Sequence, residues 1–359
     1  MQVQINKLDF SGQNIFIGID AHKKQWKNSI MVENVFYKTI SQPSDPKALS
    51  NYLRKNFPGG NYFSAYEAGF CGFWPHYQLE ELGIKSIVVN PSDIPTSDKE
   101  RRQKEDKRDS RKIAKALQSN ILEGIYIPQK KTLEDRMLVR YRFTFVKELN
   151  RFKNRIKAIL NFYGIKYPDE FSGTNSHWSK RFIDWLESIK FDEASAKLAF
   201  KTIIDQCKYL RRCLLDINRQ IRELSKTEAY NKNVKLLTSI HGIGLIISMV
   251  LLTELETIDR FKKLDQLCSF IGIVPSTNSS GENDKAGDIT PRSHKLLRSL
   301  LVEASWVAIR HDPVLLLSYT KYSKRMEPNM AIIRIVKKML NRIRYVLKNE
   351  QEYVIATVK

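Results

Sequence analysis

The sequence predicts an α/β domain at the N-terminus, a long helical middle and a mainly α-helical C-terminal domain. Three observations predict it. Between Asn14 and about Ile127, short β-rich runs alternate with helical ones. From Leu138 to Leu224 apolar residues recur at three- and four-residue steps. Beyond Asn231 the helical stretches are punctuated by Gly242, Gly244, Gly272, Gly281 and Gly287. The expected domains are residues 1–128, 129–230 and 231–359.

In the first domain, Ile15–Ile19 reads as a buried strand, Trp26–Val35 and Phe36–Ile40 as hairpin strands, and Tyr62–Tyr66 and Ser86–Val89 as further strands. Pro46–Lys55 reads as a helix, with proline suited to its first position, and Gly72–Leu82 as another. A polar loop from Asn90 to Lys104 leads into a helix over Glu105–Gln118.

The middle domain carries two heptad-like seams. One runs through Leu138, Tyr141, Phe145, Leu149, Phe152, Ile156, Ile159 and Tyr163; the other runs through Ile203, Cys207, Leu210, Leu214, Ile217, Ile221 and Leu224. The Gly-, Pro- and Ser-rich stretch 164–180 between them lets the helices fold back as a coiled-coil hairpin, dock on a second subunit, or join an ordinary bundle. Arg136, Arg140, Arg142, Arg151 and Arg155 give the first helix a basic face suited to phosphates, with Arg140, Arg151 and Arg155 the foremost candidates. In the last domain, helices are expected over Leu245–Leu255, Leu264–Ile271, Ser293–Arg310 and Asn329–Lys348.

With 60 lysines and arginines against 39 acids, a formal charge of +21 draws this chain to a polyanion, nucleic acid before an anionic membrane surface. The four cysteines lack both zinc-site spacing and disulfide density. No signal peptide is read at the N-terminus, and the longest apolar stretch, Gly244–Leu252, is too short for a bilayer. A cytoplasmic location is expected, at the nucleoid when DNA is bound.

Acidic residues carry the first chemistry. Asp20 ends one apolar strand, Glu67 ends another, and Asp106 and Asp109 share a helix face three residues apart. Each alone reads equally well as a cap or an ion-pair partner. Together, on an RNase H-like order of strands, converging carboxylates call for a cation, and their hard oxygens suit Mg²⁺ (or Mn²⁺), a metal that can stabilise attacking and leaving oxygens at a phosphodiester. His241-Gly242-Ile243-Gly244, opening an apolar helix, offers backbone N–H groups to a phosphate as a helix-hairpin-helix element does, or else is simply a tight turn. Ser279-Ser280-Gly281 lies in a polar, flexible loop where a serine hydroxyl can attack phosphorus if activated, or else is merely a polar loop.

These residues resemble the DEDD transposases of the insertion-sequence one-ten family, a group that includes the Piv-type DNA invertases. Asp20 in Gly-Ile-Asp-Ala-His-Lys, Glu67 in Tyr-Glu-Ala-Gly, and Asp106-Lys107-Arg108-Asp109 match the four family acids in order. His241–Gly244 and the segment Gly272–Arg292 are similar to the family's C-terminal transposase domain. Glu105 stands where threonine is common and Ser110 where alanine is. The resemblance implies an RNase H-like (RuvC-like) domain, a coiled coil and a domain bearing a catalytic serine, here Ser280, with Ser279 next in line. It further implies a 5′-phosphoserine intermediate, metal held by Asp20, Glu67, Asp106 and Asp109, and double-stranded donor and target DNA as substrates. A guide (bridge) RNA encoded by the element is implied as well, together with a site completed between subunits of a homodimer that assembles to a tetramer, and no membrane partner. The competing readings are a RuvC-like nuclease using metal-activated water, a site-specific invertase, and a non-enzymatic basic scaffold.

Overall fold

The computed structural model describes residues 9–95, 106–173, 176–280, 283–289 and 293–355; the side chains of 106–108, 275–280 and 283–289 lie outside that description. The chain divides into two compact units, Met1–Ile127 and Pro128–Lys359.

The first unit is built on a five-stranded sheet of β1 (Asn14–Ala21), β2 (Gln25–Val32), β3 (Val35–Pro43), β4 (Asn61–Glu67) and β5 (Lys85–Val89) in the order β3-β2-β1-β4-β5. β1, β2 and β3 pair antiparallel, whereas β1–β4 and β4–β5 are parallel. The hairpin between β2 and β3 turns at Glu33 and Asn34, with Glu33 at φ 46°, so the apolar run does not continue to Val35 as a single strand. That turn is hidden in the sequence, because Met31-Val32 and Val35-Phe36 flank only two polar residues.

Helices α1 (Pro46–Asn56) and α2 (Trp74–Glu81) cover one face of the sheet. Asp45 caps α1, accepting from Lys47 N–H at 2.9 Å, and Pro46 occupies the first turn, where its missing N–H costs nothing. Leu49, Leu53, Phe57 and Leu79 pack there on Ile15, Ile17, Ile19 and Ile30. Helix α3 (Asp106–Gln118) covers the other face, where Ile113 meets Ala65 and Val89.

α3 lies unusually close to β1. A Cβ on Gly18 would stand 2.0 Å from the Ser110 carbonyl oxygen and 2.3 Å from the Ala114 nitrogen, so only glycine lets helix backbone rest on the strand. Ser110 locks the same contact: its buried hydroxyl lies 2.9 Å from that of Ser29, which in turn is 2.7 Å from Thr39. Gly18→Ala is expected to destabilise the first unit by about 3 kcal/mol through overpacking against backbone that cannot rotate away. Urea denaturation measures it; an unchanged midpoint would contradict this packing.

The second unit begins with α4 (Lys130–Phe162), which runs antiparallel to α6 (Ala194–Ser225), with the short α5 (Lys180–Ser188) beside them. The expected seams meet only in part: Leu149, Ile156, Cys207 and Leu210 are buried together, joined by Leu160, Phe200 and Ile204 from outside the seams, whereas Tyr141 and Tyr163 are exposed. The two long helices thus fold back on one another within the chain. α5 was not foreseen; Phe182 and Leu186 bury its apolar face, and Ser179 caps it by accepting from Phe182 N–H.

The C-terminal part of the unit packs α7 (Asn231–Thr238), α9 (Leu264–Ile271), α10 (Lys295–His311), α11 (Pro313–Ser323) and α12 (Pro328–Asn349) around α8 (Leu245–Leu255), which is buried on every side from Ser248 onward. Between α9 and α10 stands a two-stranded hairpin, β6 (Pro275–Ser280) and β7 (Asn283–Ile289). No helix among the described residues is long and apolar enough to cross a membrane.

Candidate active site

β1 and β4 run parallel with Ile19 paired to Tyr66, so Asp20 and Glu67 are the next residues in register where the two strands leave the sheet. Side chains alternate across a strand, and Gly18 and Ala65 both face α3. Asp20 and Glu67 therefore project on that same face, with strand backbones about 4.8 Å apart. Glu67 is exposed and Asp20 partly so; Asp20 lies 3.0 Å from Nε2 of His22 and opposite Lys27 on β2.

Asp109 directly precedes Ser110, the residue that touches Gly18, and its carboxylate is partly exposed, 3.9 Å from Lys112. Asp106 opens α3, and its side chain lies outside the described residues. The close seat of α3 on Gly18 is thus what brings Asp109 to the strand face bearing Asp20. Among the described residues no three acids, histidines or cysteines are gathered at ion-binding distance. The donors that the fold does align, Asp20 beside Glu67 with Asp109 on the adjoining helix, are hard carboxylate oxygens, and they fit Mg²⁺ or Mn²⁺ rather than a thiophilic ion.

The structure differs from the expected flexible serine loop. Ser279 and Ser280 close β6, pairing with Asp284 and Asn283 of β7; Gly281, with Glu282, lies outside the described residues, as do the side chains of both serines. Pro-Ser-Thr-Asn-Ser-Ser and Asn-Asp-Lys-Ala-Gly-Asp-Ile show no apolar alternation, which is why the sequence did not disclose a strand.

The His241–Gly244 turn sits before α8. Gly242 has φ 87°, and a Cβ there would meet the Ala304 carbonyl oxygen at 2.2 Å, so the position demands glycine twice over. Gly244 has no neighbour within 4 Å of such a Cβ, and it precedes α8 without any side-chain cap. The first turn of α8 stays open beside Arg142, Asn218 and Arg222, which line a cavity of about 410 Å³ with residues 244–247. Arg142 donates to Asn218 at 2.9 Å, and burial pulls its pKa down. His241 stacks near His311, with ring centroids 6.0 Å apart.

The arginines of α4 divide into two groups. Arg151 and Arg155 are exposed, Arg151 pairing with Glu148 at 2.9 Å and Arg155 lying over Phe152. Arg140 instead grips Glu254 of α8 with two bonds, 2.6 and 2.7 Å, and buried Arg136 donates to the Thr253 carbonyl at 2.8 Å. The basic run is therefore only partly a solvent face, since its first turns dock the helix into the C-terminal core.

Glu254 is the group that sequence reasoning missed. It is 3% exposed, and Arg140, Arg136 and Nε2 of His294 surround it. Burial alone would raise its carboxyl, but the hydrogen bonds from His294 and Arg140, with the charge of the Arg140 guanidinium, hold it at about 2. The signal was present: Glu254 is the single ionisable residue of the apolar stretch Leu245–Leu255, and a charge in such a helix requires partners.

Two family models match the chain: a DEDD transposase domain of the IS110 type over residues 17–165, and the transposase IS116/IS110/IS902 family over residues 234–320. Thus the first covers the sheet and its acids, and the second the His241–Gly244 turn and the serine hairpin. Among relatives, a Sinorhizobium fredii protein named as a transposase, y4qE, is 28% identical over 304 residues, covering 83% of this chain and 72% of its own length. The transposase for insertion sequence element IS1111A of Coxiella burnetii is 26% identical over 250 residues, covering 67% of this chain and 65% of its own. A second S. fredii relative, y4rJ, is 26% identical over 270 residues, covering 71% and 68%. The DEDD match points to use of a divalent metal, without specifying which. With acids, glycine turn and serine segment falling in the matched regions in chain order, the chain belongs to the IS110 family of DEDD transposases, enzymes that cleave and transfer DNA.

Proposed function

We propose that this protein excises and inserts its element by serine attack on DNA, with Mg²⁺ (or Mn²⁺) held by Asp20, Glu67, Asp106 and Asp109. The observation carrying this reading is the alignment of Asp20 and Glu67 at neighbouring strand ends, on the face where α3 is pressed against Gly18. Bound metal would neutralise the phosphodiester and the charge that develops on it. The Ser280 hydroxyl attacks the scissile phosphorus: the Oγ–P bond forms, the P–O3′ bond breaks, and the 3′-oxygen leaves with a proton. A 5′-phosphoserine holds the strand, and attack by a 3′-hydroxyl later frees the serine and seals new DNA. Ser279 is the alternative nucleophile.

Duplex donor and target are held through their backbones. The turn at His241, Gly242 and Gly244, open at Gly244, offers backbone N–H groups to a phosphate, and exposed Arg151 and Arg155 add charge along α4. Arg140 is instead committed to Glu254, where it joins α4 to α8. Reading of sequence is assigned to a structured guide RNA of the element, consistent with a +21 chain in which no recognition helix stands out. The α4–α6 pair acts as a coiled coil through which a homodimer forms and then a tetramer, completing the site between subunits, in the cytoplasm at the nucleoid.

Purifying the protein after expression with its flanking DNA, and sequencing what stays bound, tests the guidance. A discrete RNA from beside the gene is expected; random cellular RNA alone would remove guidance and leave a protein that finds its own ends.

A further inference from the structure

Glu254 has no part in the chemistry just described, yet few charges are buried so completely without a role in fixing geometry. We propose that Glu254 is a positioning residue for strand cleavage, anchoring the serine hairpin to α4 through His294; this rests on the reading that Ser280 is the nucleophile.

The hairpin cannot orient itself. Its strands, Pro275–Ser280 and Asn283–Ile289, offer almost no apolar residues, and an isolated two-stranded hairpin is marginal in water. Its direction is therefore set at its roots. On the β6 side Gly272, which ends α9 with φ 82°, accepts from Arg298 through its carbonyl at 3.2 Å. On the β7 side stands His294, the N-cap of α10. Its Nδ1 accepts from Leu297 N–H at 3.2 Å, which places the ring proton on Nε2, 3.1 Å from the Glu254 carboxylate. The ring also rests 5.6 Å from that of Phe270 on α9.

His294 is thus oriented by two opposed bonds, and Glu254 ties it in turn to Arg140 of α4 by a bidentate pair. α4, α8 and the N-cap of α10, the helix that follows β7, meet at one carboxylate, and Phe270 of α9 packs beside the His294 ring. Loosening that carboxylate would release His294, at the start of the helix after β7, while leaving the exposed Arg151 and Arg155 in place.

The test uses full-length protein with its co-purified nucleic acid and a supercoiled plasmid carrying the DNA that flanks its gene. Protein–DNA adducts are quantified on denaturing gels against DNA concentration. Glu254→Gln, which places an amide among donors, is expected to lower the maximal rate of adduct formation about 100-fold, with the half-saturating DNA concentration within about twofold of wild type. Glu254→Asp should recover part of the rate. His294→Asn keeps a capping side chain and hence the fold, but not the reach to Glu254; it should lose as much as Glu254→Gln, and the double variant no more than either.

Losses that multiply in the double variant, or a shift in half-saturation with the maximal rate intact, would overturn the proposal. Ser280→Ala, run alongside, separates the two readings. Adducts that persist there overturn the serine reading and the proposal with it. Adducts lost there but formed at full rate by both Glu254→Gln and His294→Asn overturn the proposal alone.

Discussion

Ser280→Ala is expected to abolish covalent protein–DNA adducts and to lower transposition by a factor of about 10⁴ or more, the scale on which enzymes lose activity when their nucleophile is removed. The methyl group has no lone pair to form the bond to phosphorus, and no neighbouring water can replace an intermediate that must hold one DNA end until rejoining. Duplex binding should stay within about twofold, because the proposed phosphate contacts, the turn at His241–Gly244 and the arginines Arg151 and Arg155, are untouched by the substitution. Both quantities come from one preparation, by filter binding and by denaturing gels of end-labelled DNA. If adducts vanish only in Ser279→Ala, the neighbouring hydroxyl is the nucleophile. If Ser280→Ala still cuts DNA and never forms an adduct, a metal-activated water does the work, and the protein acts as a nuclease of the RuvC kind.

The serine's setting was the part of the site least visible in the sequence. β6 and β7 carry no alternating apolar residues, and strand prediction depends on a buried face to impose a period of two. The first unit was legible for the opposite reason. Ile15, Ile17 and Ile19 alternate on a buried face, so the strand and its terminal Asp20 could be read directly. Asp109 was harder, because nothing in a basic helix says which strand it meets. The missing link was Gly18, whose absent side chain sets the seat of α3 and hence the approach of Asp109.

Long-range partners explain the remaining gaps. Arg140 looked like one more charge on a basic helix, while its partner Glu254 lies 114 residues later in the chain. Helix α11 was passed over although Asp312-Pro313 is a cap followed by a first-turn proline, with Asp312 accepting from Val314 and Leu315. Leu315 is its one buried side chain, which leaves too weak an apolar face for periodicity to reveal.

Asp20→Asn should separate a metal site from a structural turn by moving two observables in opposite directions. Asparagine keeps the shape and the polar contact to His22 but removes one of two carboxylates standing side by side. Without metal, Asp20 and Glu67 repel each other, by about 1 kcal/mol at their strand spacing in a largely solvated setting. The variant's melting temperature without metal should therefore equal or slightly exceed that of wild type. Added Mg²⁺ should raise the wild-type melting temperature, because ion binding to the folded state alone stabilises it, and should leave the variant unmoved. Strand cleavage should fall by about 10³-fold or more, since the charge developing on the phosphodiester loses its neutralising ion. A variant that is destabilised without metal, yet still stabilised by Mg²⁺ and still able to cut, would assign Asp20 to the turn with His22 and detach the strand ends from the chemistry.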